Sequence, residues 1–199
     1  MQNWINKLWK NEKIIFILFI LQITVVYKLI QIYFSQGIIF KTVLDDKIPF
    51  IPEFVIPYLL FIIVLSLPFI LTLKNKKDFL AISRLFLIVS AVCNLTYIFF
   101  QTTIIRPEII SSTIFDRLVL FVYSIDSPLN LFPSEHVTFS VLSTLCLFKI
   151  NRKLAYIILP FTALIVISTL FIKQHHIPDV LAGLMLAFLG YWFIFKRMP

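Results

Sequence analysis

Asn130-Leu131-Phe132-Pro133-Ser134-Glu135-His136-Val137 and Lys173-Gln174-His175-His176-Ile177-Pro178-Asp179 are two polar islands in a strongly apolar chain, and together they hold all three histidines. Each stands where a long hydrophobic run begins. The islands can meet only if the chain between them crosses a membrane and returns, so their reading depends on the number of spans. An error of one span would put them on opposite faces.

The chain has 199 residues, 60% of them hydrophobic and only 14% charged, and its apolar residues come in long unbroken runs instead of amphipathic stripes. That combination reads as an integral membrane protein forming a single domain over residues 1–199. The net charge of +8 could suggest nucleic acid. However, Lys and Arg sit in small clusters between the apolar runs, the pattern that orients spans in a bilayer, and this argues against a nucleic-acid partner. Cys93 and Cys146 both fall inside predicted spans, so they build neither a disulfide framework nor a thiolate metal site.

The sequence predicts six spans, at about residues 14–34, 54–73, 79–100, 133–148, 154–172 and 178–195. Residues 1–13, with Trp4, Trp9, Lys7, Lys10 and Lys13, suit an interfacial anchor preceding a retained first span. Lys28, near the far end of that span, and Arg84, inside the third, are expected to snorkel to headgroups. The prolines of residues 48–57 keep the chain extended before the second span, and Pro68 is a candidate kink. Ile110, Ile114, Leu118 and Phe121 recur at helical spacing, predicting a short helix on the membrane surface before the fourth span. The fourth run is short: about 14 residues rise roughly 21 Å against a hydrocarbon thickness of ~30 Å, so its start should be recessed.

Alternate loops divide the basic residues unequally. One side receives Lys7, Lys10, Lys13, Lys74, Lys76, Lys77, Lys149, Arg152, Lys153, Lys196 and Arg197; the other receives Lys41, Lys47, Arg106, Arg117 and Lys173. The richer side is expected to be cytoplasmic. The expectation is therefore an all-α bundle of six transmembrane helices in a cell membrane, both termini cytoplasmic and both islands on the extracytoplasmic face. Positions near Ser112 and Gln174 should be reachable from outside.

Ser134, followed by Glu135 and His136 at a helix start, sits where unpaired N–H groups and the helix dipole favour an anion. Taken alone, Ser134 reads equally as an N-cap and Glu135 as a favourable first-turn carboxylate. His175 and Asp179 are four apart, a spacing at which a carboxylate can hold one imidazole nitrogen and free the other as nucleophile or base. Three histidines and a carboxylate could instead bind zinc.

Arg106-Pro107, then Pro133-Ser134-Glu135-His136, then Ser168-Thr169 with His175 and Asp179, resemble the three-part signature of the type 2 phosphatidic acid phosphatase, or lipid phosphate phosphatase, superfamily. Its pattern is K-x6-R-P, P-S-G-H and S-R-x5-H-x3-D. The chain departs from it at Phe99 for Lys, Glu135 for Gly and Thr169 for Arg. With Ile48-Pro49-Phe50-Ile51-Pro52, what remains is similar to the inositol phosphorylceramide synthase and sphingomyelin synthase-like branch.

The resemblance implies an enzyme acting on a lipid phosphate without metal or other cofactor. It makes His175 the nucleophile, Asp179 its orienting partner and His136 the acid for the leaving oxygen. Arg106, Ser134 and Lys173 would bind phosphate. Rival readings are transfer of a phospho-headgroup to a lipid hydroxyl, and a transporter or scaffold that kept the fold without catalysis. The missing cations lean toward a singly charged phosphodiester as donor, with Arg117 as a possible substitute cation.

Overall fold

A computed structural model describes residues 9–195. Trp4 and Lys7 of the expected anchor, and Lys196 and Arg197, lie outside the described residues. Helices α1 (Glu12–Tyr33), α2 (Pro52–Thr72), α3 (Lys76–Phe99), α6 (Arg152–Phe171) and α7 (Ile177–Phe195) are each long and apolar enough to cross a membrane. Between α3 and α6 come the shorter α4 (Ile114–Ile125) and α5 (Glu135–Ile150). The 16 residues of α5 rise roughly 24 Å at 1.5 Å each. It is shorter than the five helices long enough to cross, as the sequence predicted for the fourth apolar run, and most of its residues are buried between α2, α6 and α7.

Polar side chains mark where the helices begin. Asn11, Asn75, Ser134 and Asn151 each accept a backbone N–H from the first turn of α1, α3, α5 and α6. Thr113 and Asp116 form a reciprocal capping box on α4. Between a single 3-10 turn at Asp45–Lys47 and α2 the chain is non-helical from Ile48 to Ile51, in keeping with its prolines. The break in α2 falls at Leu60, whose N–H bonds the Pro57 carbonyl three residues back, while helix continues through Pro68.

The core is largely aromatic. Phe16 and Phe19 of α1, Phe69 of α2, Phe79 and Phe86 of α3 and Phe139 of α5 pack ring against ring, with centroids such as Phe19–Phe69 at 5.6 Å and Phe86–Phe139 at 5.4 Å. Helices in lipid gain little from hydrophobic transfer against each other, so contact of this kind, with buried hydroxyl pairs such as Thr144–Thr162 at 2.6 Å, supplies the cohesion. Two glycines supplement the aromatic packing. A Cβ on Gly183 would lie 2.8 Å from the Ser134 carbonyl oxygen, and one on Gly190 would lie 2.9 Å from a methyl of Val89.

The two cations expected to snorkel also meet carbonyls near helix ends. Lys28, exposed, donates to the Ile125 carbonyl at the end of α4 and to Gln31, at 2.6 and 2.8 Å. Arg84, half-buried, donates to the Trp9 carbonyl and lies over the Trp9 ring. Each thereby satisfies a carbonyl near a helix end. Strands β1 (Ile38–Ile39) and β2 (Thr102–Thr103) form a short parallel pair that ties the segment after α1 to the segment after α3 at the histidine end.

Candidate active site

The two islands touch through their backbones. Ser134 N–H donates to the Asp179 carbonyl at 3.1 Å, and the Thr138 hydroxyl donates to the Ser134 and Gly183 carbonyls at 2.7 and 3.2 Å. The starts of α5 and α7 are thereby locked together, with Gly183 permitting the close approach. As a result the His136 and His175 rings lie with centroids 5.9 Å apart.

His136 is held between the rings of Tyr58 and Phe61 in α2, at 4.7 and 4.6 Å, and its Nε2 hydrogen-bonds the Tyr58 hydroxyl at 2.8 Å. His175 follows the end of α6. Its N–H and that of Gln174 both donate to the Thr169 carbonyl, at 3.1 and 2.9 Å. Lys173, between helix and histidine, has a positive φ of 52°, which turns the chain sharply out of α6.

His175 Nδ1 lies 3.5 Å from Asp179 Oδ2, beyond hydrogen-bond distance, with both side chains buried. Oδ2 instead accepts the His176 N–H at 2.8 Å. Asp179 therefore caps α7 and faces His175 at the same time, and Nε2 is the His175 nitrogen turned away from it. Ser134 is fully buried, and its Oγ accepts the Val137 N–H at 3.3 Å.

Arg106 and Lys173 line a cavity of about 470 Å³ with Lys41, His175 and His176. Arg106 Nη1 donates to the Asp126 and Tyr123 carbonyls at the end of α4, Nη2 donates to Gln174 Oε1 at 2.8 Å, and the guanidinium lies 4.2 Å from the Tyr123 ring centroid. Its Nε is buried without a partner. Burial lowers the Arg106 pKa, opposed first by the Asp126 carboxylate. Burial likewise raises the Tyr123 phenol to about 12 and lowers Lys173, whose Nζ donates to the Ile48 carbonyl. Burial also lowers His176, against the pull of Asp179 and Asp45.

The departures from the signature carry no concealed cation. Phe99 is 85% exposed on the outside of α3, and the Thr169 hydroxyl bonds the Val166 carbonyl in its own helix. Arg117 is exposed on α4 and lines neither cavity at the histidines. Gln174 is not the exposed loop residue expected: it is 2% exposed, drawn inward by Arg106. Among the described residues, no three His, Cys, Asp or Glu side chains form a group able to hold a metal ion.

The PAP2 superfamily model matches residues 80–199, which include Arg106, Ser134, His136, Lys173, His175 and Asp179. The chain belongs to the PAP2 superfamily. Its members are phosphatases, so membership and apolar helices together mark the chain as a membrane enzyme of the phosphatase type. Comparison with curated proteins and with solved structures finds no match.

The superfamily match, over residues 80–199, leaves out Asp45 and Tyr58, and sequence reasoning missed these two together with Tyr123 and Asp126. Tyr58 holds His136 from α2. Asp45 accepts the Ile177 and Thr42 N–H groups, both at 2.7 Å, and so pins the start of α7 from the loop after β1. Tyr123 supports Arg106, and Asp126 accepts from Gln31 and Tyr27 at 2.8 and 3.2 Å. The available signals were a tyrosine one turn into an apolar span and acids in short polar connections. Neither identifies a partner across the bundle.

Proposed function

We propose that the protein hydrolyses the phosphate ester of a membrane lipid through a phosphohistidine, at the extracytoplasmic face of a six-span bundle with both termini inside. The observation that carries this reading is the pair of histidine rings 5.9 Å apart, the buried His175 facing a carboxylate and the half-buried His136 a phenol. In the first step His175 Nε2 attacks phosphorus, the ester P–O bond breaks, and His136 gives its proton to the departing alkoxide. In the second, water attacks phosphorus, His136 takes back a proton, and the P–N bond breaks to release phosphate. Arg106, Lys173 and the N–H groups at the start of α5 oppose the charge on the equatorial oxygens.

The test is phosphate release from phosphatidic acid by the purified chain in detergent. His175→Ala and His136→Ala should each lower kcat by about 10²–10⁴-fold with folding intact, His176→Ala far less, and chelators should have no effect. Full activity in His175→Ala defeats the reading. A second reading, headgroup transfer from a phosphodiester to a lipid hydroxyl, is favoured by the absence of a cation at Phe99 and Thr169. It accords with the synthase-like resemblance of residues 48–52. A matched phosphodiester lipid in the same assay separates the two by kcat/KM.

A further inference from the structure

His175 is the wall between two cavities. The outer one presents Arg106 and Lys173 together with Lys41, Asp45 and Asp46, of which Lys41 and Asp46 pair with each other. The inner one, about 340 Å³, lies between α1, α2 and the start of α5. Ile23, Phe61, Leu65 and Phe139 form its apolar part, and Glu135 and Asp126 stand beside His136 and His175 at its head. An apolar cavity of about 270 Å³ follows along the α1–α2 seam, and Leu65 lines both. A phosphorus atom at His175 thus has Arg106 and Lys173 on the outer side and, on the inner, room for hydrocarbon beneath Glu135 and Asp126.

Glu135 differs from the other acids near the site. Asp45, Asp116 and Asp179 each accept a backbone N–H. Glu135, half-buried, accepts none of these: its Oε1 is enclosed without a hydrogen-bond partner, as is Asp179 Oδ1, but in Asp179 the other oxygen is engaged. Lys28, the cation on the same wall, donates to Gln31 and the Ile125 carbonyl. A first-turn carboxylate gains from the helix dipole while exposed, so the dipole gives no reason to enclose it. An enclosed acceptor left unpaired carries a desolvation cost that a donor arriving with a ligand removes.

Resting on the phosphoesterase reading, we propose that Glu135 selects the alcohol side of the substrate. The inner cavity takes an amphiphile whose carbon skeleton carries a hydrogen-bond donor, a hydroxyl or an amine, beside the phosphate ester. A fully acylated glycerol offers no such donor.

The experiment uses the full chain in detergent and three phosphomonoesters with one and the same acyl chain. They differ only at the carbon next to the one bearing phosphate, which carries a hydroxyl, an amine or hydrogen. The hydroxyl or the amine compound should exceed the hydrogen compound in kcat/KM by about tenfold or more, because a site built to bond a donor rejects the analogue lacking it. Which of the two leads identifies the donor. Glu135→Met, which keeps the volume and removes the acceptors, should bring the ratio close to one, and so should Glu135→Gly.

Equal handling of all three by the unaltered protein overturns the proposal whether or not either variant folds, and so does an unchanged ratio in a folded variant. No phosphate release from any of the three defeats the phosphoesterase reading itself.

Discussion

The island around His136 is fixed by residues far away in sequence, while the one around His175 is fixed mainly by the helix it leaves. Leading into His136, Asn130 N–H donates to Gln101 Oε1 at 2.7 Å and Phe132 N–H to the Thr102 hydroxyl at 2.9 Å. The Pro133 carbonyl accepts the Tyr97 hydroxyl at 2.8 Å. Leading into His175, the Thr169 and Leu170 carbonyls receive the N–H groups of residues 173–175, and Asp179 caps the helix that follows. The Ser134–Asp179 backbone bond, the close approach at Gly183 and the facing His136 and His175 rings connect the two. The turn of the second island is closed by α6, with remote ties from Lys173 to Ile48, Gln174 to Arg106 and Ile177 to Asp45, whereas the backbone of the first is held by Tyr97, Gln101 and Thr102.

The largest effect should come from breaking the connection. Gly183→Ala places a methyl 2.8 Å from the Ser134 carbonyl, forcing α5 and α7 apart. A shift of about 1 Å between the histidines should cost activity about 100-fold, with a lower melting temperature in detergent. Unchanged activity would mean that the separation of the islands does not matter.

Next comes Tyr58→Phe, which removes the hydroxyl from His136 Nε2 but keeps the ring. Losing one orienting hydrogen bond of about 1.4 kcal/mol predicts a roughly tenfold lower kcat. KM should change little, and a change confined to KM would place Tyr58 in substrate binding instead.

A smaller effect, on stability, should come from Asp45→Asn, which tests the tie between the second island and the loop after β1. Burial pushes the Asp45 carboxyl up, but the Thr42 and Ile177 N–H groups and the Thr42 hydroxyl outweigh it and hold the carboxyl below the usual range. A folded-state pKa below the unfolded one adds stability above the unfolded value, and that stability is lost as pH falls through the folded one. Thermal melts should thus show the variant less stable near neutral pH, with the difference closing in acid. A difference independent of pH would separate the role of Asp45 from its charge.

The same contrast explains what was legible in the sequence. Apolar runs bounded by Asn, Ser and basic clusters placed the observed helices closely, because span length and caps are local properties. His175 with Asp179 was legible for the same reason, through its four-residue spacing. Tyr58 beside His136, Asp45 beneath Ile177 and Gln174 turned inward to Arg106 are pairings across 78, 132 and 68 residues, and no periodicity encodes those. The carbonyl partners of Lys28 and Arg84 were not legible either, because the sequence does not show which carbonyl lies within reach of a cation near a span end.

The central claim is that His175 Nε2 forms a bond to phosphorus while His136 handles protons. It is tested most directly by rapid quench at alkaline pH of the chain turning over a ³²P-labelled lipid phosphate, followed by peptide mapping. The account predicts acid-labile, base-stable label on His175, absent in His175→Ala. Label on another residue, or full turnover by His175→Ala, would contradict it.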